Sequence, residues 1–138
     1  MPAIVQVQAN KILDLTLGTS APTMFTTPAK VRLTTTVPTA TTAGTELTGT
    51  GYTATGTSLA GELTFTAASA GATTGPGTTA LSWTNGSGGA WSIVGIEIWD
   101  SAGTPLRWWY GSFTGQPISV ANGNTFQIAV GALSVSLT

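Results

Sequence analysis

The sequence predicts a mainly β protein, an antiparallel β-sandwich of jelly-roll type with one short amino-terminal helix, and three observations lead there. Helical spacing of apolar residues is confined to the amino-terminal stretch QANKILDLTLG, where Ala9, Ile12, Leu13 and Leu17 recur at three- and four-residue intervals. From Val31 onward apolar and polar residues alternate with the period of two that a half-buried strand requires. Beyond residue 80, short apolar runs are broken every ~8 to 12 residues by Gly, Asn, Asp and Pro, the rhythm of a sandwich.

In chain order, the helix is expected from about Val7 to Leu17 with Gly18 as its stop, although ILDLTL also alternates like a strand. KVRLTTTV sets Val31, Leu33, Thr35 and Val37 against Lys30, Arg32, Thr34 and Thr36. Threonine suits such a strand because its branched β-carbon fits a pleated surface, and Pro38 closes the run. Residues 39–80 have the Thr/Gly/Ala composition of a linker, but Tyr52, Leu59, Leu63 and Phe65 offer apolar anchors. Short strands are therefore expected near Gly51 to Gly56 and Leu63 to Ala67, with a loop from Ser69 to Thr79. ALSW then reads as a strand, NGSGG as a loop, SIVGIEIW as one continuous strand, DSAGTP as a turn and LRWWYGSF as the returning strand. GQP is a break, ISV a strand, and ANGN a tight hairpin turn whose Asn122-Gly123 favours positive φ. FQIAV and LSVSLT close the chain, with Leu133, Val135 and Leu137 on one face. The 138 residues leave room for one domain, 1–138.

The stretch from Trp91 to Phe113 holds four of the five tryptophans. A hairpin loop at Asp100 to Thr104 places Trp99 opposite Pro105, Ile98 opposite Leu106, Ile96 opposite Trp108 and Val94 opposite Tyr110. That register gathers Val94, Ile96, Ile98, Leu106, Trp108 and Tyr110 on one face as core. It also sets Glu97 beside Arg107 as a cross-strand ion pair worth about 0.2 to 1 kcal/mol, and puts Trp109 across from Gly95. Trp83 is expected in the core as well. Trp91, Ile93, Trp99, Trp109 and Phe113 fall on the opposite face, which is either the other side of the core or a subunit interface, since aromatics are enriched in both. A sugar-stacking platform would want several carboxylates and amides beside the rings, and only Glu97 is near.

Charged residues make up only 7% of the chain, with a net charge of −1. A surface so poor in charge repels itself weakly and favours association. The chain has neither histidine nor cysteine, so Ser-His-Asp and Cys-His catalysis, disulfides and the usual zinc sites are excluded. Of the five carboxylates, Glu97 and Asp100 lie close in sequence, but ion pairing and turn formation account for both. An enzyme is not expected, nor is a cofactor or a metal. GTGYTATG and GATTGPGTT lack the lysine and following helix of a phosphate loop, four basic residues cannot track a nucleic-acid backbone, and no acids cluster for calcium. The amino terminus lacks the basic and apolar regions of a secretory signal, and no apolar run is long enough for a membrane span.

NKILDLTLG, AKVRLTTT, GTELTGTGYTATG, SWTNGSGGAWSIVGIEIWDSAGTPLRWWYGSF and ISVANGNTFQIAVGALSVSLT, in that order, resemble a family of small virion proteins of tailed actinobacterial bacteriophages, whose members are described as tail fibre or minor structural proteins. The distinctive parts are GIEIWD, the YG before the break, and the VANGNTFQIAVGALSVSL close; the chain departs from the family in lacking a histidine near the hairpin and in its low charge. The resemblance implies a non-enzymatic part of a phage particle, made in the host cytoplasm and residing in the virion. A fibre shaft would need heptads or repeated strands, and neither is present. The expectation is therefore a capsid decoration protein, a homotrimer whose partners are the major capsid protein and itself, with no nucleic acid and no membrane. A tail fibre or baseplate-associated tail protein is the alternative within the virion, and a host-surface carbohydrate-binding module the alternative outside it.

Overall fold

The computed structural model describes residues 3–18, 25–53, 57–58 and 65–136, and these form antiparallel sheets with a single short helix, a β-sandwich-like fold. Strand β1 (Ala3–Ile4) leads into helix α1 (Gln6–Leu17). The helix ends at Gly18, whose φ of 72° and backbone N–H, donated to the Asp14 and Leu15 carbonyls, make a left-handed cap. Ten further strands follow: β2 (Lys30–Thr34), β3 (Thr57–Ser58), β4 (Ala72–Gly75), β5 (Leu81–Thr84), β6 (Trp91–Ile93), β7 (Gly95–Trp99), β8 (Arg107–Ser112), β9 (Ile118–Val120), β10 (Thr125–Ile128) and β11 (Leu133–Ser136).

The largest sheet has the order β1-β8-β7-β2-β3, and the remaining strands pair as β10-β5, β11-β4 and β6-β9. Val31 lies opposite Ile98 and Leu33 opposite Ile96, so the alternation in β2 puts all four on the inner face, where none is more than 3% exposed. Leu81, Trp83, Trp91, Ile93, Val120, Phe126, Leu133 and Val135 from the strand pairs complete this core. Each such side chain contributes about 1.5 to 3 kcal/mol on full burial. Trp83 stacks on its cross-strand partner Phe126 at 6.1 Å, and Phe113 meets Phe126 edge-on at 5.5 Å.

Several sequence expectations are corrected. SIVGIEIW is not one strand. It breaks at Val94, whose N–H donates to Thr34 O and whose carbonyl accepts from Phe113 N, so β6 joins β9 while β7 joins the large sheet. The turn at Asn122-Gly123 has the expected positive φ, 84° at Gly123, but connects strands of two different pairs rather than a hairpin. β2 stops at Thr34, and Val37 is exposed because the chain there leaves the sheet to form a covering loop. Ala72–Gly75, expected in a loop, is a strand paired with β11. Gly51–Thr53 and Phe65–Ala67 are not strands; the rest of those two expected strands, with Leu59, Leu63 and Leu137, lies outside the described residues, and Thr57–Ser58 pairs with β2.

The hairpin register is displaced. Trp99 lies opposite Arg107, and after a bulge Ile98 lies opposite Trp109 instead of Leu106, a displacement of three residues. An odd displacement exchanges the faces of a strand. The cause is Asp100, fully buried, whose Oδ1 accepts from Leu106 N at 2.8 Å and Ala102 N at 3.3 Å; the backbone bond Asp100 N to Leu106 O at 3.0 Å closes the same longer loop. Trp108 is the extra residue of the bulge, and its Nε1 donates to Asp100 Oδ2 at 3.1 Å.

Candidate functional site

The outer face of the large sheet is formed by the residues of β2 and β7 that the alternation turns away from the core: Lys30, Arg32 and Thr34 opposite Trp99, Glu97 and Gly95. The segment 35–46 folds over part of it. Close approach is possible because a Cβ on Gly95 would lie 2.7 Å from Pro38 Cδ and 2.9 Å from Thr34 Oγ1, and one on Gly44 would lie 2.8 Å from the Thr34 side chain. The first turn of α1 anchors beside it: Val5 N donates to Trp108 O at 2.8 Å and Gln8 Nε2 to Arg107 O at 3.3 Å. The rest of the helix leaves Leu13, Leu15 and Leu17 exposed.

Glu97, 1% exposed, is the centre of this face. Its Oε1 accepts from Gly44 N at 2.9 Å and from Arg107 Nη1 at 2.8 Å, and its Oε2 accepts from Trp99 Nε1 at 2.9 Å. Arg107 also donates to Thr42 O at 2.8 Å and lies over the Tyr110 ring at 5.6 Å. The ion pair thus forms between residues diagonal to one another, since Tyr110 and not Arg107 is the direct cross-strand neighbour of Glu97. Such a buried pair resists loss of either partner, because the remaining charge would be stranded away from water. On the other side of Trp99, the Arg32 guanidinium carbon sits 3.9 Å from the ring centroid.

The sequence-derived sets of core and interface residues are redistributed. Ile96 and Ile98 are buried on the inner face, as placed above. Trp108 is buried but stands outside the main core, held by Asp100 and by edge-on contact with Phe25 at 5.5 Å. Tyr110 is half-buried on the outer face, Val94 half-buried at the crossing between sheets and Leu106 half-buried in the loop. Trp91 and Ile93, candidates for an interface, are core residues. Trp109 and Phe113 are half-buried against that core, and Trp99 is half-buried on the outer face. Trp109 faces Ile98 instead of Gly95, whose direct neighbour is Ser112. The five candidates do not share one face, because the break at Val94 and the bulge at Trp108 each change the side to which the chain points. None of the five tryptophans is exposed, which leaves no row of open rings for sugar stacking.

Two polar centres had little signal in the sequence. Asn85, fully buried, donates Nδ2 to Gly89 O at 2.8 Å and Val120 O at 2.7 Å, while its Oδ1 accepts from Ser87 N and Ser87 Oγ. It fastens the NGSGG loop to β9. Tyr52 accepts from Leu33 N and donates to Glu46 Oε1 at 2.9 Å. Burial, with help from the Glu46 charge and against the Leu33 hydrogen bond, pushes its phenol well above the usual tyrosine range. A cleft of about 250 Å³ between β8 and β11, lined by Gly111, Ser112, Phe113 and Leu133 among others, carries no charged side chain. Among the described residues no group of three acidic side chains converges to hold a metal, and no helix is long and apolar enough to cross a membrane.

A family model described as Podophage GP4 fiber I protein gp80 matches residues 3–136. No curated protein matches the chain.

Proposed function

The chain belongs to the podophage GP4 fiber I protein family, and from that premise we propose that it is a non-enzymatic component of the tail fibre apparatus of a podophage. Membership makes it a bacteriophage structural protein and a component of the virion. The observation that carries the finer reading is the extent of the match, which covers the fold from β1 to β11 and therefore concerns the whole sandwich rather than one motif. Head decoration, expected from the lack of a fibre shaft, gives way to the tail reading: a compact sandwich can be one piece of a fibre assembly without itself forming a shaft. The family description names a phage type and no host, so an actinobacterial host rests on the sequence resemblance alone.

Its partners are proposed to be tail proteins and further copies of itself, joined by apolar area and by hydroxyl and backbone hydrogen bonds, because only 7% of residues are charged. Gold-labelled antibody against the chain, applied to intact particles and viewed by electron microscopy, tests the location. Label confined to the tail at a few copies per particle is expected. Label spread over the head in numbers comparable to the major capsid protein would restore the decoration reading and overturn this one.

A further inference from the structure

The chain has two arginines, and the outer face of the large sheet treats them differently. Arg107 is taken up by Glu97 and by the Thr42 carbonyl. Arg32 lies directly opposite Glu97 across β2 and β7, yet no hydrogen bond joins them, the carboxylate being turned to Gly44 N, Arg107 Nη1 and Trp99 Nε1. Glu46, on the neighbouring segment paired with Thr34, accepts the Tyr52 hydroxyl. Arg32 instead rests on the Trp99 ring at 3.9 Å, and its Nε is buried without a partner. Lys30, the next outward residue of β2 and the direct neighbour of Trp99, adds a second cation, and both side chains are half-buried.

Stacking on an aromatic face holds a guanidinium in place by cation–π attraction but satisfies none of its N–H donors, which point out from the edge of the plane. A buried N–H with no acceptor is costly, and in a native structure it points to an absent water or ion. The fork of N–H groups left over on a stacked arginine matches the two oxygens of a carboxylate or phosphate, and a nearby ammonium adds attraction without competing for that geometry. We infer that Arg32, seated on Trp99 and assisted by Lys30, is the receptor for an oxyanion, a carboxylate or phosphate group of a ligand outside this chain. This goes beyond the fibre reading and does not rest on it, so its failure leaves that reading untouched.

The two arginines supply an internal control. In protein labelled with ¹⁵N, the Nε–Hε resonances of Arg32 and Arg107 are assigned through bonds, and the folded chain is titrated at constant ionic strength with inorganic phosphate and, separately, with glucuronate, against potassium chloride. The Arg32 resonance is expected to shift and saturate with at least one of the two anions while that of Arg107 stays in place; which anion saturates it distinguishes a phosphate from a carboxylate source. Arg32→Lys, which keeps the charge and loses the fork, should weaken binding about tenfold, and Lys30→Gln should weaken it several-fold. If the Arg32 resonance fails to saturate with either anion, or if both arginines drift together as they do in chloride, the site does not exist. Undiminished affinity in folded Arg32→Lys would equally overturn the guanidinium as receptor.

Discussion

Replacing Asn85 by Asp changes almost no volume and tests whether its side chain closes the NGSGG loop as described. The asparagine Nδ2 donates to two carbonyls, Gly89 O and Val120 O, at 2.8 and 2.7 Å, in a site with no solvent exposure. An ionised aspartate would aim an oxygen at both carbonyls, so its protonated form is favoured in the folded state and its pKa rises, by about 3 to 5 units for a fully buried carboxyl. In the unfolded chain the same group titrates near 3.9. The sign follows: at about pH 3 both states are largely protonated and the variant loses little more than one hydrogen bond, about 1 kcal/mol. As pH rises the unfolded state releases its proton first, and the penalty grows by about 1.4 kcal/mol per unit, reaching roughly 4 kcal/mol more at pH 7. Asn85→Ala removes the donor to the Val120 carbonyl and the acceptor of the Ser87 N–H, while Gly89 O keeps the Ser87 hydroxyl, at a cost of about 2 kcal/mol that does not follow this pH course. Urea midpoints by circular dichroism, each variant compared with the parent at the same pH, provide the measurement. A deficit in Asn85→Asp that is the same at pH 3 and pH 7 would refute the reasoning.

Other substitutions probe the remaining centres. Gly51 and Gly88 both have positive φ, 94° and 82°, but a Cβ on Gly51 would run into the Thr84 carbonyl oxygen, whereas that on Gly88 meets nothing. Gly88→Ala should cost about 1 to 2 kcal/mol and Gly51→Ala at least twice as much by urea unfolding. The raised phenol of Tyr52 stays neutral in the fold while an unfolded tyrosine ionises near pH 10, so stability should fall above about pH 10 by up to 1.4 kcal/mol per unit; Tyr52→Phe should flatten that part of its denaturation curve. Trp108→Phe keeps most of the ring but strands Asp100 Oδ2, a loss of about 1 to 3 kcal/mol in thermal unfolding, and Trp108→Ala should cost about 3 to 5 kcal/mol. Attachment to the particle should survive 1 M NaCl, where the Debye length is about 3 Å, as read by sedimentation of washed virions.

The sequence by itself determined the fold class and the positions of most elements. Alternation in KVRLT compels Val31 and Leu33 to the same side, the spacing of Ala9, Ile12 and Leu13 selects a helix, and both patterns depend only on the local geometry of the backbone. The same is true of the positive φ at Gly123 and of the low charge that shapes the surface. What pairs with what was decided elsewhere. The run SIVGIEIW carries only Gly95 as a hint of its break at Val94, because that break is made by hydrogen bonds to Thr34 and Phe113, far away in the chain. The hairpin register turned on a single carboxylate, that of Asp100, choosing Leu106 N as a partner, and a bulge of one residue then brought the Trp108 and Trp109 rings, expected on opposite faces, to within 5.9 Å of each other beside Phe25. Arg32 on Trp99 was equally out of reach, since it requires β2 beside β7 and Glu97 already taken by Arg107. Periodicity is an attribute of one segment and can be read along it. Register, and with it the company each side chain keeps, depends on energy differences of a few hydrogen bonds between distant segments, and only the folded chain brings those bonds into competition.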